Sequence, residues 1–303
     1  MFKHLLIPLD GSRMAESALQ PALYLAQALG ARVTLLHVME HDPPEEIHGE
    51  PHLTSLADAY AYLEGMGARA SRLERDVPVD LHAHPNPEHD VARSIVEHAQ
   101  ELGVDLIVLC THGRSSLRRW LFGTNAQQVI AQGRTAVMVV HPAEAHAQPY
   151  RCGRILVPLD GDAEHEAGLA VAATVARACG AVVDLLVVIP TLGTLPLKST
   201  VTARLLPATT RAALEISQET TAAYLAELLQ NPLAAGIRGS AHVLRGDPVG
   251  MITQEAVERA ADLVVMATHP KSHMDAFWSG SVAPQVMERT RLPVILVPAH
   301  PPA

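Results

Sequence analysis

The feature that most constrains this chain is a repeat of itself. Residues 5–11 read LLIPLDG, and residues 155–161 read ILVPLDG, 150 positions later. VDLIVLCTH at 104–112 returns as ADLVVMATH at 261–269, and AVMVVH at 136–141 returns as PVILVP at 293–298, both at an offset of 157. One such match between short apolar runs is weak. Three in the same order, with Asp and His at matching places, describe one unit of about 150 residues written twice. The change of offset puts seven extra residues in the second copy, between its second and third strands, where the segment from Pro190 to Gly239 has room for them. The seam falls near 142–152, a polar stretch with two prolines.

Within the first copy, apolar runs alternate with helical periodicity. Leu5–Leu9 reads as a strand, 13–29 as a helix closed by Gly30, and Arg32–Val38 as a second strand. Residues 41–52 read as a loop rich in Pro, His and Glu, and 53–75 as a helix weakened by Gly65 and Gly67. Val79–His82 reads as a polar edge strand, 88–102 as a helix, Asp105–Leu109 as a buried strand, 124–132 as a helix and Ala136–Val140 as the last strand. Strands and helices in strict alternation predict an α/β fold with a parallel sheet and right-handed crossovers. The expected domains are 1–143 and 150–303.

Composition agrees. Apolar residues make up 48% of the chain and aromatics only 3%, so the cores must be aliphatic, as suits a parallel sheet covered on both faces. A net charge of -9 argues against nucleic acid or an anionic lipid surface as partner. It leaves a small anion possible, because backbone amides hold one without side-chain charge. The three cysteines, Cys110, Cys152 and Cys179, are far apart in sequence and in no metal-ligand spacing, so a reducing compartment is expected over a disulfide framework. No apolar run reaches a membrane span, and the expected location is the cytoplasm.

In parallel sheets, ligands bind at the carboxyl ends of the strands, where the winding direction switches. Strands one and four both end there in motif-bearing loops, PLDG and CTHGR. The second of these runs from Cys110 to Thr124. Gly113 follows the strand and Gly123 opens the next helix with Thr124 and Asn125. Amides at a helix start, with the positive end of its dipole, suit phosphate oxygens. Arg114, Arg118 and Arg119 add positive charge to an acidic chain.

With these residues the chain resembles, along its whole length, the universal stress protein (UspA-like) family in a tandem two-domain form. Nucleotide-binding members of that family carry G-x2-G-x9-G-[ST] after the fourth strand. This sequence has Cys110-x2-Gly113-x9-Gly123-Thr124, with His112 and Arg114 at matching places and Asp10 ending the first strand. The resemblance implies domains with strand order 3-2-1-4-5, helices on both faces and an adenine-nucleotide alpha-hydrolase-like architecture. It implies ATP, with or without Mg, in the first domain. Asp10 would sit near the adenine with Val38 lining the base pocket, Gly113, Arg114, Gly123, Thr124 and Asn125 would hold ribose and phosphates, and Pro8, Cys110 and His112 would belong to the same site. It also implies pairing of the two domains through their last strands and leaves a homodimer open. Cys110 stands where the family has Gly, and its side chain is expected to weaken binding. The second copy has Ala267 and Pro270 at the glycine positions and only Gly280-Ser281 beyond. Proline removes an amide donor and fixes φ, so this half is expected to be scaffold.

The 17 histidines, with clusters at 37–52 and 82–89, match no ligand motif, and a metal site is not expected. Gly65 and Gly67 lie inside a helix and are not a dinucleotide fingerprint. The expected function is regulatory nucleotide binding, with catalysis absent or limited to slow ATP hydrolysis. The alternative is an interaction protein that uses the fold without nucleotide.

Overall fold

The computed structural model describes residues 2–110, 124–132, 134–142, 149–162, 166–191, 193–194, 207–231, 236–268 and 281–299. The first half runs β1 (His4–Pro8), a 3-10 turn (Ala15–Ala18), α1 (Leu19–Leu29), β2 (Arg32–Glu40), a small hairpin of β3 (Glu46–Ile47) and β4 (Glu50–Pro51), α2 (Leu56–Leu73), β5 (Val79–Glu88), α3 (Val91–Glu101), β6 (Leu106–Cys110), α4 (Thr124–Gln132) and β7 (Ala136–Val140). The second half runs β8 (Arg154–Leu159), α5 (Ala167–Cys179), β9 (Val182–Ile189), α6 (Pro207–Gln230), β10 (Arg238–Arg245), α7 (Pro248–Glu258), β11 (Leu263–Thr268), α8 (Val282–Arg289) and β12 (Val294–Pro298). Of residues 190–210, whose role the sequence leaves open, 192 and 195–206 lie outside the described residues, and 207–210 begin α6.

Ten strands form one sheet in the order β10-β9-β8-β11-β12-β7-β6-β1-β2-β5. Each half is parallel with the order 3-2-1-4-5, an α/β arrangement with helices on both faces. β7 and β12 pair antiparallel at the centre, Val139 opposite Val294 and Val137 opposite Leu296. Each apolar layer is continuous across this joint: Leu5, Leu23 and Met138 share a cluster with Ile155, Leu169 and Ile295 on one face. Ile107, Val129 and Val139 share one with Val264, Val286 and Val294 on the other.

The repeated Asp of VDLIV and ADLVV has a structural task. Asp105 Oδ2 accepts from the amides of Lys3 and His4 at 2.6 and 3.1 Å. Asp262 Oδ2 accepts from Gly153 and Arg154 at 2.8 and 2.9 Å. Each carboxylate thus satisfies the first amides of its half's central strand.

The register revises the seven-residue insertion. Val33 pairs with Val79 and Val183 with Gly239, so the third strands stand 160 positions apart. The fourth strands, Leu106 and Leu263, stand 157 apart against partners 150 apart. The second half therefore gains ten residues before its third strand and loses three after it. The three that only the first half has lie among Pro85–His89. This half's third strand, expected to end at His82, continues to Glu88, because it bulges opposite Met39 and Glu88 then pairs with Glu40 of β2. An edge strand tolerates Pro85 and Pro87 there, since its outer amides need no partner.

Gly67 also has a packing role. A Cβ there would stand 3.3 Å from Leu81 Cδ2, so the glycine lets α2 lie close on β5.

Candidate functional site

At the carboxyl ends of β1, β2 and β6 a cavity of about 110 Å³ opens in the first half. Pro8, Asp10, Val38, Cys110 and Asn125 line it together. Five residues drawn from four separate segments of the expected site thus meet at one place, the switch point of the sheet. His112, Gly113, Arg114 and Gly123 lie outside the described residues. Thr124 is the first residue of α4.

Asp10 is held by a turn of its own. Its Oδ1 accepts from the Ser12 amide at 2.9 Å and the Ser12 hydroxyl at 2.7 Å, with Gly11 at φ +92°. Only a residue without Cβ takes that angle readily. Oδ2 remains on the cavity side, 4.0 Å from His48 Nε2. Cys110 is half-buried beside it. Burial, with the nearby Asp10 charge, pushes its thiol up to about 12, so it is present as a compact neutral wall and not as a nucleophile.

Among the lining residues that the sequence misses are His37, Glu40, Ile47 and His52. The hairpin β3–β4 folds over the mouth of the cavity. Glu50 ties it down, accepting from the Arg13 amide at 2.5 Å and pairing with Arg13 Nε at 3.1 Å. His52 Nε2 meets Glu40 Oε2 at 3.2 Å.

His37 is 1% exposed. Its Nδ1 lies 2.8 Å from the Leu9 carbonyl, which can only accept, so Nδ1 carries the proton. Burial lowers its pKa and keeps the ring neutral. Nε2 is then a buried lone pair with no partner among the described residues. A buried polar atom left without a partner costs free energy of about 1–3 kcal/mol. The one signal in sequence is a histidine between Leu36 and Val38 at the end of a buried strand.

The second half has a cavity at the equivalent place, of about 290 Å³. Pro158, Asp160 and Val188 line it as Pro8, Asp10 and Val38 do the first. The polar positions have changed: Val187 stands for His37, Ala267 for Cys110 and Val282 for Asn125. Thr268 and Ser281 supply hydroxyls there. Gly280 and Pro270 lie outside the described residues.

The pattern of the universal stress protein family matches residues 1–141 and, a second time, residues 152–298. The chain belongs to the universal stress protein family. It is 28% identical over 153 residues to a universal stress protein of Bacillus subtilis, covering 46% of this chain and 99% of that protein. To one of Methanocaldococcus jannaschii it is 29% identical over 142 residues, covering 46% of this chain and 82% of that protein. A solved universal stress protein from Archaeoglobus fulgidus superposes over 98% of both chains, with a TM-score of 0.63 at 18% identity, a likeness of fold. The single-unit relatives and the full-length structural match together describe a tandem member of this family.

Among the described residues no group of side chains is arranged to hold a metal ion, and no helix is long and apolar enough to cross a membrane. Several histidines of the expected clusters contact one another: His41 and His89 rings lie 4.0 Å apart, and His98 stands 4.9 Å from both His82 and His84.

Proposed function

We propose that this stress-response protein binds ATP or another adenine nucleotide in its first half, at the cavity bounded by Asp10, Val38, Cys110 and Asn125, with the second half as scaffold. The observation that supports it best is the meeting of those residues with an unsatisfied acceptor, His37 Nε2, at the switch point. In this reading Asp10 and His37 accept from the base and Val38 packs on it. Gly113, Arg114, Gly123, Thr124 and His112 hold ribose and phosphates, with or without Mg. The ligand acts through conformation, and hydrolysis is at most slow, since no carboxylate among the described cavity residues is set as a base.

The restriction to the first half draws on Val187, Ala267, Val282 and Pro270, which remove polar partners and an amide from the second cavity. The larger second cavity makes this a sharp claim. Calorimetric titration of ATP tests it: wild type takes up a single equivalent, Asp10→Ala loses it, and Asp160→Ala keeps it. Absence of heat at millimolar ATP overturns the reading. Two equivalents overturn the division between halves.

A second reading, an interaction protein that needs no nucleotide, draws on Ile47 and His52, which occupy space inside the first cavity. It is favoured if ATP is silent. In both readings the domains 1–143 and 150–303 pair through β7 and β12 in solution as one pseudo-dimer, and a cytoplasmic location suits the function. Sedimentation shows whether two chains associate further.

A further inference from the structure

Cys152 and Cys179 are 27 positions apart in sequence, yet the fold brings them together. Cys152 lies just before β8, and Cys179 is the last residue of α5. Gly180 then turns the chain at φ +68°, and the amide of Val182 donates to the Gly153 carbonyl at 2.9 Å. The turn after α5 is thereby tied beside Cys152, with Arg154 of β8 level with Val182 of β9, and the two thiols are neighbours that influence one another's charge. Both are free, Cys152 buried and Cys179 partly open to solvent.

The surroundings are built. The Cys152 amide donates to the Tyr24 hydroxyl at 3.3 Å, which places that hydroxyl beside the cysteine pair, where it favours the Cys179 thiolate. Tyr150 meets Tyr24 edge to face, with ring centroids 5.4 Å apart. The Tyr150 amide donates to Gln20 Oε1 at 2.9 Å. Tyr24 and Gln20 belong to α1 of the first half, so the pair sits at the contact between halves. The charge follows the geometry. The hydrogen bond from Cys152, and then that from Tyr24, hold the Cys179 thiol below the usual range despite burial, while Cys152 is pushed well above it. Such a division leaves one sulfur as nucleophile and the other as its proton-bearing neighbour.

We propose that Cys152 and Cys179 form a peroxide-oxidisable pair, in which Cys179 is attacked first and Cys152 resolves it to an intramolecular disulfide. In the first step the Cys179 thiolate displaces hydroxide from hydrogen peroxide and becomes a sulfenic acid. Sulfur loses two electrons and the O–O bond is reduced. In the second, the Cys152 sulfur attacks the sulfenic sulfur, the S–S bond forms, and the Cys152 proton leaves with the hydroxyl as water. A thiol reductant returns both groups to the starting state.

The test uses the full chain, treated with hydrogen peroxide under native conditions and digested without reduction. The expected result is a cross-linked peptide joining Cys152 to Cys179, loss of both thiols from titration, and full recovery with dithiothreitol. Cys152→Ser stops at a sulfenic acid on Cys179 that dimedone traps. Cys179→Ser leaves Cys152 unmodified. Tyr24→Phe slows Cys179 alkylation and moves its pH profile upward, which loss of packing alone would not do. Melting curves recorded before oxidation establish that each variant is folded. The proposal falls if the native wild-type protein keeps both thiols under peroxide while the unfolded chain oxidises. It falls equally if Cys110 supplies the linked partner, or if dimedone labels Cys152 in preference to Cys179.

Discussion

Met138 lies directly opposite Ile295 in the antiparallel pair that joins two otherwise parallel half-sheets, and both side chains are fully buried. The contact is the middle of the ten-stranded sheet. Through it the core of each half is completed by the other, so the halves should unfold together. Met138→Ala and Ile295→Ala should each cost about 2–5 kcal/mol, the usual range for truncating a buried aliphatic side chain. Because the side chains share one cluster, the double variant should depart from additivity by about 0.5 kcal/mol or more. Urea unfolding followed by both circular dichroism and fluorescence checks this. Two separate transitions in the wild type would show halves that are stable alone.

His37 offers a test of the site that keeps the fold. Replacing it with Leu removes the free Nε2 acceptor and one hydrogen bond to Leu9. The stability loss should stay within about 1.5 kcal/mol, since one neutral hydrogen bond is given up and an unpaired polar atom is removed with it. Under the nucleotide reading, ATP affinity should fall about tenfold, equivalent to about 1.4 kcal/mol. An unchanged affinity with a folded protein would take His37 out of the ligand's reach.

The two halves solve the same position in the sheet with different chemistry. In the first, His4 Nε2 bonds the Thr34 hydroxyl at 2.7 Å. In the second, Arg154 and Asp184 occupy the equivalent places, with Arg154 Nη1 at 2.7 Å from Asp184 Oδ2 and Ser240 donating to the other oxygen. Burial raises the Asp184 pKa, but Ser240 and Arg154 outweigh it and hold the carboxyl below its ordinary value. Asp184→Ala should therefore cost about 2 kcal/mol, because it leaves the Ser240 hydroxyl without its acceptor, while Arg154, 37% exposed, turns to solvent. Thr34→Val should cost about 1 kcal/mol. Arg154→Leu alone should cost less than Asp184→Ala, since a partly exposed ion pair is worth little. Chemical denaturation of the variants settles the order, and equal costs at Asp184 and Thr34 would contradict it.

What was legible in the sequence follows from how local each signal is. Apolar periodicity and the repeat specify strands, helices and the strand-end loops, so PLDG with Asp10 and the loop opening at Cys110 could be placed at a common edge from sequence, while Val38 entered through the family resemblance. The hairpin over the cavity could not. Residues 41–52 carry neither period, and Ile47 and His52 reach the cavity only because Glu50 is anchored by Arg13. The length of β5 depends on its own bulge opposite β2, and proline at 85 and 87 argues locally against any strand. The meeting of Cys152 and Cys179 depends on where α5 ends relative to β8, a tertiary fact that spacing does not encode. The insertion was miscounted for a related reason: two changes of opposite sign in one interval leave only their sum in the offset.

Acid should weaken this protein well above the range in which its carboxylates titrate. His141, just beyond β7 at the seam, is held down to about 4 by burial and by the Arg291 charge. His4, His37, His82 and His242 are lowered as well, each chiefly by burial. A histidine whose folded pKa lies below its unfolded value takes up its proton more readily when the chain is unfolded. Stability therefore falls as pH drops below about 6.5 and levels off only below the folded value. For His141 alone, at about 1.4 kcal/mol per pKa unit, the loss is about 3 kcal/mol between pH 6.5 and 4. Asp184, lowered below its ordinary value, loses its contribution only as pH falls beneath about 4, so the two windows separate. Urea midpoints measured from pH 8 to pH 4 should slope downward below neutrality, and His141→Phe should flatten that slope. A profile level down to pH 5, in the wild type, would mean these imidazoles are protonated in the folded chain.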